Sequence, residues 1–274
     1  MKIMERTLMN QTSMNPPSKC IIDGDWLAYT AACYADNEGY DYLEDRIEYD
    51  LKDLSSGYDE TFIAFSCKRE DNFRKTFWPL YKNNRNNKPK PVFLGDACAY
   101  ATASDTIDKS IAIDRLEADD IISMLVSKGD WVGIGIDKDF RTVSGWHWNP
   151  RKEDNPVYVS PEEAQQAELS QLVSGDSSDN IWGIFGRGPA WARNVLESPT
   201  SLEDKIEEIR QENRDSWHNI KPKYEEKKKK AIEAGFDDPD DYLDSQFIAL
   251  HLLRPEEYDK ETKAITHKMP WQPS

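Results

Sequence analysis

Short apolar runs, most of which end in acidic residues, alternate with amphipathic segments over the first 160 residues. The apolar runs have the length and composition of buried strands, and they lie at residues 19–23, 61–66, 111–114 and 131–136. Helical patterns follow or separate them, at residues 24–32, 43–57, 93–104 and 116–129. Strands separated by helices predict a mostly parallel sheet with flanking helices, in which ligands bind at the carboxyl ends of the strands.

The pattern changes after Pro161, where only helical segments follow. They lie at residues 161–174, 201–214, 221–236 and 240–253, and the glycine-rich turn GIFGRGPAWARNVL interrupts them. The sequence therefore predicts an α/β domain at 19–160 and an all-α region at 161–274. Residues 1–18 are polar and contain Pro16-Pro17, so we expect a disordered leader rather than a signal peptide.

Composition limits the classes of function. The chain has 274 residues and a net charge of -16, which on average disfavours a nucleic-acid partner, although acids gathered at one site would leave other faces free to bind a polyanion. No apolar run reaches the roughly 18 residues of a membrane span, so we expect a cytoplasmic protein. The four cysteines are widely spaced and predict free, mostly buried thiols. The histidines form no zinc-binding pair, so any metal here must be bound by oxygen.

Acidic residues stand at the ends of the predicted elements. They are Asp23 with Asp25, then Glu117 with Asp119 and Asp120, then Asp137 with Asp139, and finally Asp176 with Asp179. On a strand, Asp137 and Asp139 would point to one face, and on a helix, Glu117 and Asp120, like Asp176 and Asp179, would share a face. Each pair alone is typical of a turn or a helix cap. Together, so many carboxylates predict a site for Mg²⁺ or Mn²⁺, in which two ions could activate water for phosphodiester hydrolysis.

Two further segments suit a nucleic acid. The stretch FRKTFWPLYKNNRNNKPKP mixes basic and aromatic side chains, which could bind phosphates and stack on bases, and which alternatively form a solvated loop. The surrounding residues 68–90 look too polar to be buried. The turn GIFGRGPAWARNVL is either a phosphate-binding turn at a helix N-terminus or a plain connection between helices.

Several of these motifs, taken in order, resemble a known family. IIDGDWLAY, LEADDIISML, IDKDF and GDSSDNIWGIFGRGPAWARNVL are similar to motifs of the flap endonuclease and 5′-exonuclease family, particularly its bacteriophage members and the 5′-nuclease domain of bacterial DNA polymerase I. The resemblance extends from about residue 20 to residue 253. It implies a PIN-like 5′-nuclease core, a short helical arch around 82–110, and a C-terminal helix-hairpin (helix-3-turn-helix) domain with its turn at 183–190.

The resemblance also implies roles for individual residues. The metal-site acids would be Asp23, Glu117, Asp119, Asp120, Asp137, Asp139, Asp176 and Asp179. Lys82 and Arg85 would contact the scissile phosphate, and the DNA contacts would come from Tyr81, Gly183, Gly186, Arg187 and Gly188. K⁺ could bind at the helix-hairpin turn. The sequence departs from the family at Ser66, where an acid is usual, and Asp25 does not belong to the family's pattern.

The implied activity is metal-dependent 5′ to 3′ exonuclease or flap endonuclease cleavage of DNA, and of RNA in RNA/DNA hybrids. We expect a monomer that works in phage replication or recombination, in the cytoplasm of a bacterial host, with DNA carrying free 5′ ends or flaps. Two alternatives stay open: an aspartate-nucleophile phosphatase, which would want Thr where Leu27 stands, and a branched-DNA-binding protein without activity.

Overall fold

The computed structural model describes residues 15–85 and 89–271. The chain forms two compact units. The first contains the residues up to Cys67 together with Lys90–Glu163, and the second contains Lys68–Pro89 and the chain from Ala164 onward. Residues 1–14 of the expected leader lie outside the described residues, as do 86–88 of the expected arch.

The first unit is built on a six-stranded sheet in the order β3-β2-β1-β4-β5-β6. The strands are β1 (Lys19–Asp23), β2 (Glu60–Phe65), β3 (Lys109–Ala112), β4 (Val132–Ile134), β5 (Gly145–Trp148) and β6 (Val157–Val159). All neighbouring strands are parallel except β5 and β6, which are antiparallel. The expected mostly parallel sheet is therefore confirmed. Strand β1 lies between β2 and β4, and its residues 20–23 are all buried.

The helices that accompany the sheet are α1 (Gly24–Glu38), α2 (Leu43–Ser55), α4 (Leu94–Ala103) and α5 (Ala118–Val126), and α6 (Pro161–Ser174) leads into the second unit. Helix α1 buries a row of small side chains, Ala28, Ala31, Ala32 and Ala35. Small residues at this spacing let the helix lie close to its neighbours. Of the cysteines, only Cys20 is fully buried, so the expectation of mostly buried thiols is wrong for the other three.

The second unit is helical. It contains α3 (Arg74–Phe77), α7 (Pro189–Leu196), α8 (Leu202–His218), α9 (Glu225–Glu233) and α10 (Pro239–Leu250). Its core is a cluster of aromatic rings in which Trp78 and Trp217 both pack against Tyr242, at centroid distances of 6.0 and 5.0 Å. Phe185 stacks on the same tyrosine ring at 5.3 Å. Each of these large rings buries a sizeable apolar surface, and aliphatic side chains such as Ile184 and Leu243 are buried with them.

The expectation that the polar stretch 68–90 stays unburied is wrong. Phe73, Arg74, Trp78 and Tyr81 are at most 2% exposed. Arg74 donates from Nε to the carbonyl of Ala249 and from Nη2 to that of His251, at 3.1 and 2.8 Å. The charge is therefore buried with hydrogen-bond partners, which composition alone cannot reveal.

A buried histidine connects the end of α10 to the chain beyond it. His251 contacts Glu168 of α6 through Nδ1 and Glu257 through Nε2, each at 2.7 Å. Burial alone would lower the pKa of His251, but the two carboxylates outweigh it and raise the pKa from 6.5 to about 9. The charged imidazolium therefore ties two carboxylates together inside this unit.

This network makes stability depend on pH above neutrality. The folded-state pKa of His251 lies above its unfolded value, so its contribution is complete below pH 6.5 and is lost as the pH rises through about 9. We expect the free energy of unfolding to fall over this window by at most about 3 kcal/mol. Urea unfolding at several pH values measures the slope. His251→Gln should flatten it, whereas substitution of the exposed His218 by Gln should leave it, and equal slopes in all three proteins would contradict the assignment.

Candidate active site

The acids of the first unit gather after parallel strands. Asp23 is the last residue of β1, Asp137 follows β4, and Glu117 directly precedes α5. Because β1 and β4 are neighbouring parallel strands, their carboxyl ends lie at the same edge of the sheet. The expected placement of these acids at the carboxyl edge therefore agrees with the fold.

Asp23 is a buried member of this group with a defined hydrogen bond. Its carboxylate caps α1 by accepting a hydrogen bond from the Trp26 amide at 3.1 Å, and the residue is 7% exposed. Burial raises the pKa of Asp23 to about 7, and the charges of Asp25 and Asp137 act in the same direction. The edge thus concentrates negative charge that is costly without a cation.

Asp25 and Ser66 form a contact that the sequence pattern does not reveal. The Ser66 amide lies 3.3 and 3.4 Å from the two carboxylate oxygens of Asp25. The Ser66 hydroxyl accepts from the Ala118 amide at 2.9 Å, in the first turn of α5. Ser66 therefore connects the end of β2 to the start of α5, which is a use for a hydroxyl at the position where the family usually has an acid. In the sequence, only the Asp-Gly-Asp spacing at the end of β1 indicates that Asp25 belongs to this group of acids.

Glu117 and Asp120 form a capping box on α5. The two side chains and backbone amides bond reciprocally, and the Glu117 amide donates to Asp120 at 3.1 Å. Asp120 is fully buried, and Asp119 lies in the same first turn. The expectation that Glu117 and Asp120 share one side of a helix agrees with this arrangement.

Asp137 and Asp139 are not placed as expected. Strand β4 ends at Ile134, and Asp137 caps a short 3-10 helix by accepting from the Asp139 amide at 2.9 Å. Asp139 also pairs with Lys138 at 3.0 Å. The idea that both point to one face of a strand is therefore wrong, because the strand has already ended.

The donor chemistry of this edge fits a hard divalent cation, since its side chains offer carboxylate oxygens and Asp23 is destabilised as an anion. The geometry is less complete. Within residues 15–85 and 89–271, no three His, Cys, Asp or Glu side chains are already arranged to hold an ion. An ion would therefore have to draw the carboxylates together.

In the second unit, Asp176 and Asp179 lie in a turn and not on a helix, so the expected shared helical face is wrong. Asp176 and Ile181 exchange both backbone hydrogen bonds, at 2.9 and 2.8 Å, and close the turn. Inside it, the Ser178 hydroxyl bonds to Asp176 at 2.6 Å and lies 3.4 Å from Asp179. Ser178 therefore connects the two acids. We call residues 176–181 the acidic turn.

The basic segment YKNNR is hydrogen-bonded along its length to the acidic turn. The Lys82 amide donates to the Asp179 carbonyl at 2.9 Å, and Arg85 Nε donates to that of Ser178 at 2.9 Å. In the other direction, Asn180 Nδ2 donates to the Leu80 carbonyl at 2.7 Å. The segment is thus a fixed part of this unit, and the solvated-loop interpretation does not describe residues 81–85.

The Asp179 carboxylate is the centre of this contact. It pairs with Arg85 at 2.5 Å and with Lys82 at 3.6 Å, and it accepts from the Tyr81 hydroxyl at 3.0 Å. Asp179 and Lys82 each have 14% exposed side chains, so the ion pairs are only partly screened by solvent. Tyr81 is 2% exposed, so its ring has no open face for a base and its hydroxyl is the group that reaches the site.

The glycine-rich turn is held by α10. Tyr242 donates its hydroxyl to the Gly183 carbonyl at 2.8 Å, and Gln246 accepts from the Trp182 amide at 2.8 Å. Gly183 has φ +60, and a Cβ there would lie 2.4 Å from the Gly175 nitrogen. Gly186 also has positive φ, whereas Gly188 has extended backbone and open space around it. Arg187 is engaged with Glu212 at 2.8 Å.

No family model matches the chain. It is 30% identical to Flap endonuclease Xni of Shewanella frigidimarina over 48% of this chain and 57% of that protein, which is little more than half of the relative's length. It is 27% identical to Flap endonuclease Xni of Shewanella sp. strain MR-4 over 66% of this chain and 75% of that protein.

The fold is similar to two solved structures. One is T5 5′-exonuclease with bound divalent zinc ions, at a TM-score of 0.57 and 18% identity over 87% of this chain and 90% of the other. The second is the catalytic core of Rad2 in complex with a DNA substrate, at a TM-score of 0.51 and 14% identity over 93% of this chain and 84% of the other. At these identities the likeness concerns the fold.

The fold, a mostly parallel sheet with flanking helices, is similar to that of the class of PIN-like 5′-nuclease cores. Within that class, the similarity to the two curated relatives confirms the resemblance to the flap endonuclease and 5′-3′ exonuclease family that the motifs carry.

The two outer glycines of the turn, Gly183 and Gly188, should differ in their effect on the stability of the protein when each is replaced by Ala. Gly183→Ala should destabilise the protein by at least about 2 kcal/mol, because a left-handed residue gains a Cβ that collides with backbone. Gly188→Ala should leave the melting temperature unchanged, since nothing lies within 4 Å of a Cβ there. If thermal unfolding places both variants at the same temperature, the steric argument for Gly183 is wrong.

Proposed function

We propose that this chain is a metal-dependent nuclease that hydrolyses DNA near 5′ ends, as a flap endonuclease or a 5′ to 3′ exonuclease. The observation that carries the proposal is the gathering of Asp23, Asp25 and Asp137 at the carboxyl edge of the parallel sheet, where burial, together with the charges of Asp25 and Asp137, raises the pKa of Asp23 to about 7. The relatives named flap endonuclease and the fold of a metal-binding 5′-exonuclease support it.

In this proposal the carboxylates of the first unit hold the metal. Asp23, Glu117, Asp119, Asp120, Asp137 and Asp139 are the ligand set that the motifs imply, with Asp176 and Asp179 as further members from the acidic turn. A bound divalent ion supplies an activated water and stabilises the leaving oxygen of the phosphodiester. Asp25 acts indirectly, because it holds the Ser66 amide and so fixes the end of β2 beside the edge.

Lys82 and Arg85 are proposed to bind the scissile phosphate. Both are cations kept in place by Asp179, which limits their rotamers and lowers the entropy lost on binding. A lysine ammonium is a compact charge suited to oxygens on which negative charge develops, whereas the arginine fork suits two oxygens at once. Tyr81 contributes by positioning Asp179 through its hydroxyl.

The glycine-rich turn is proposed to bind the duplex backbone. Gly186, Arg187 and Gly188 directly precede α7, whose N-terminus has no side-chain cap and can face a phosphate, although the Arg187 amide already donates to the Ile184 carbonyl at 3.0 Å. This contact reads no base, so the affinity for DNA should depend on salt and hardly on sequence. The Arg187 guanidinium would have to exchange Glu212 for a phosphate.

Finer parts of the proposal follow from the family. They are Mg²⁺ or Mn²⁺ as the ions of a two-metal site, K⁺ at the helix-hairpin turn, acceptance of RNA/DNA hybrids, and a monomer acting in phage replication or recombination in a bacterial cytoplasm. No helix in the described parts of the chain is long and apolar enough to cross a bilayer. The relatives do not favour the phosphatase or the inactive DNA-binding protein.

The acidic edge is tested by a matched pair of substitutions on one sheet. Asp23→Asn should lower the cleavage rate of a 5′-labelled flap in Mg²⁺ by at least about 100-fold, because it removes a charged ligand and leaves the fold in place. Asp59→Asn removes an exposed acid next to the opposite end of β2 and should retain the parental rate. Cleavage by both variants at that rate, or cleavage by the parent in EDTA, would contradict the proposed function.

Lys82 and Asp179 are tested as a pair. If Asp179 acts mainly by holding Lys82, then Lys82→Ala, Asp179→Asn and the double variant should all lower the single-turnover rate to a similar extent. If Asp179 acts mainly as a metal ligand, the two losses should instead multiply, and Asp179→Asn alone should raise the Mg²⁺ concentration for half-maximal rate. Lys75→Ala is the control, since this lysine lies in the same unit on α3 and bonds Asn83 instead.

A further inference from the structure

The Arg187 side chain contacts two neighbours within the helical unit. Its Nη2 lies 2.8 Å from Oε1 of Glu212 on α8, and its guanidinium lies over the ring of Trp191 on α7 at 5.8 Å. A guanidinium carries five N–H donors, and the buried Nε of Arg187 has no hydrogen-bond partner among the described residues. The pair with Glu212 therefore fixes the position of Arg187 and leaves part of its donor capacity unused.

The Glu212 carboxylate is fixed in its turn by α8. The same Oε1 atom that pairs with Arg187 accepts a hydrogen bond from the Ser216 hydroxyl at 2.8 Å, one turn further along the helix. The side chains of Glu212 and Arg187 are 18% and 35% exposed. Solvent therefore screens this pair less than it screens a fully exposed pair, and any other anion has to compete with Glu212 for the guanidinium.

A recess of about 320 Å³ opens beside this ion pair. The residues that line it include Phe185, Arg187, Glu212, Asp215 and Lys221. Of the two cations, Lys221 makes no ion pair with the described residues, whereas Arg187 is paired with Glu212. The charge that this recess can offer to an anion therefore depends on whether Glu212 keeps or releases Arg187.

The ion pair adjoins the segment to which we assign the duplex backbone. Arg187 directly precedes Gly188, the residue at which α7 begins without a side-chain cap. A phosphate at this helix N-terminus would lie beside the Arg187 backbone, and the guanidinium would be the nearest side chain of the turn able to bind two of its oxygens. Glu212 occupies that guanidinium with the same chemistry, a planar pair of anionic oxygens.

We propose that Glu212 is an internal competitor of DNA for Arg187, and that it limits the affinity of the glycine-rich turn for the duplex backbone. This inference rests on the proposed function of that turn. Without DNA, the carboxylate occupies the guanidinium, and on binding Arg187 exchanges Glu212 for a phosphate. A duplex that makes further contacts can offset the exchange, whereas an anion that reaches this turn alone cannot, so Glu212 increases selectivity for DNA bound at several places.

The test measures binding of the full chain to a fluorescent flap duplex by anisotropy over a range of salt concentrations. Ca²⁺ replaces Mg²⁺, since it also takes carboxylate oxygens as ligands. Glu212→Gln keeps the size of the side chain and an oxygen for Ser216, and it removes the charge. It should tighten binding about fivefold at physiological salt. It should also steepen the fall of log affinity with log salt by about 0.9, because one more phosphate is neutralised.

Glu208→Gln is the matched control, because it removes the same charge from an exposed acid one turn earlier on α8. It should change the affinity less than about twofold. Arg187→Ala should weaken binding, and Glu212→Gln added to it should restore less than about twofold, because the acid acts through the guanidinium.

An equal gain in the Glu208 and Glu212 variants would reduce the effect to net charge and overturn the inference. Unchanged or weaker binding by Glu212→Gln would overturn it as well, since the acid would then have no effect on Arg187 or would prepare it for the phosphate. A parent that binds the duplex but does not cleave it in Mg²⁺ would contradict the proposed function alone. A parent that binds no duplex would overturn both.

Discussion

The hydrogen bond from the Lys82 amide to the Asp179 carbonyl is the contact on which the basic part of the site depends. It joins a lysine-containing segment to the acidic turn almost a hundred residues later in the chain. Once the two backbones are joined, the side chains of Lys82 and Arg85 lie within reach of the Asp179 carboxylate. Cations that would otherwise be mobile on the surface are then held before any phosphate arrives, which is the kind of preorganisation that electrostatic catalysis needs.

This junction carries a conformational cost. Lys82 and Asn180, one on each side of it, both have φ in the left-handed region, at 54° and 60°. Non-glycine residues there cost on the order of 1 to 3 kcal/mol each, and they persist only where the surroundings compensate. The compensation is visible in Trp78, whose Nε1 donates to the Asn180 carbonyl at 3.0 Å while its ring packs on Tyr242. The aromatic core thus stabilises the strained turn.

Local pattern predicted the parallel sheet, most helices and the position of the acids at its carboxyl edge. It failed where burial depends on distant partners. Arg74 looked like a solvent-exposed cation because its acceptors, the carbonyls of Ala249 and His251, are about 175 residues away in the sequence. The stretch around it therefore looks too polar to bury, and nothing in its pattern indicates its place in the helical unit. No periodicity within one segment carries that information.

Spacing rules failed for a different reason at two acid pairs. The spacing places Asp137 and Asp139 on one face of a strand, and Asp176 and Asp179 on one face of a helix. Each pair instead lies in a turn where the regular element has ended or has not begun. A rule about faces holds only while the backbone stays regular. For acids at the ends of helices and strands, the sequence therefore predicts their position in the chain. It does not predict the direction in which their side chains point.

The capping and the metal-binding interpretations of these acids are compatible. Asp23 caps α1, Glu117 caps α5 and Asp137 caps a 3-10 helix, so the structural role expected of each pair alone is observed. A carboxylate has two oxygens and about four acceptor positions, so one amide does not exhaust it. The amide instead fixes the orientation of the group, as a hydrogen-bonded outer partner does for a metal ligand. Capping by the backbone is thus the means by which this sheet edge could present several carboxylates to an ion without a dedicated outer layer of side chains.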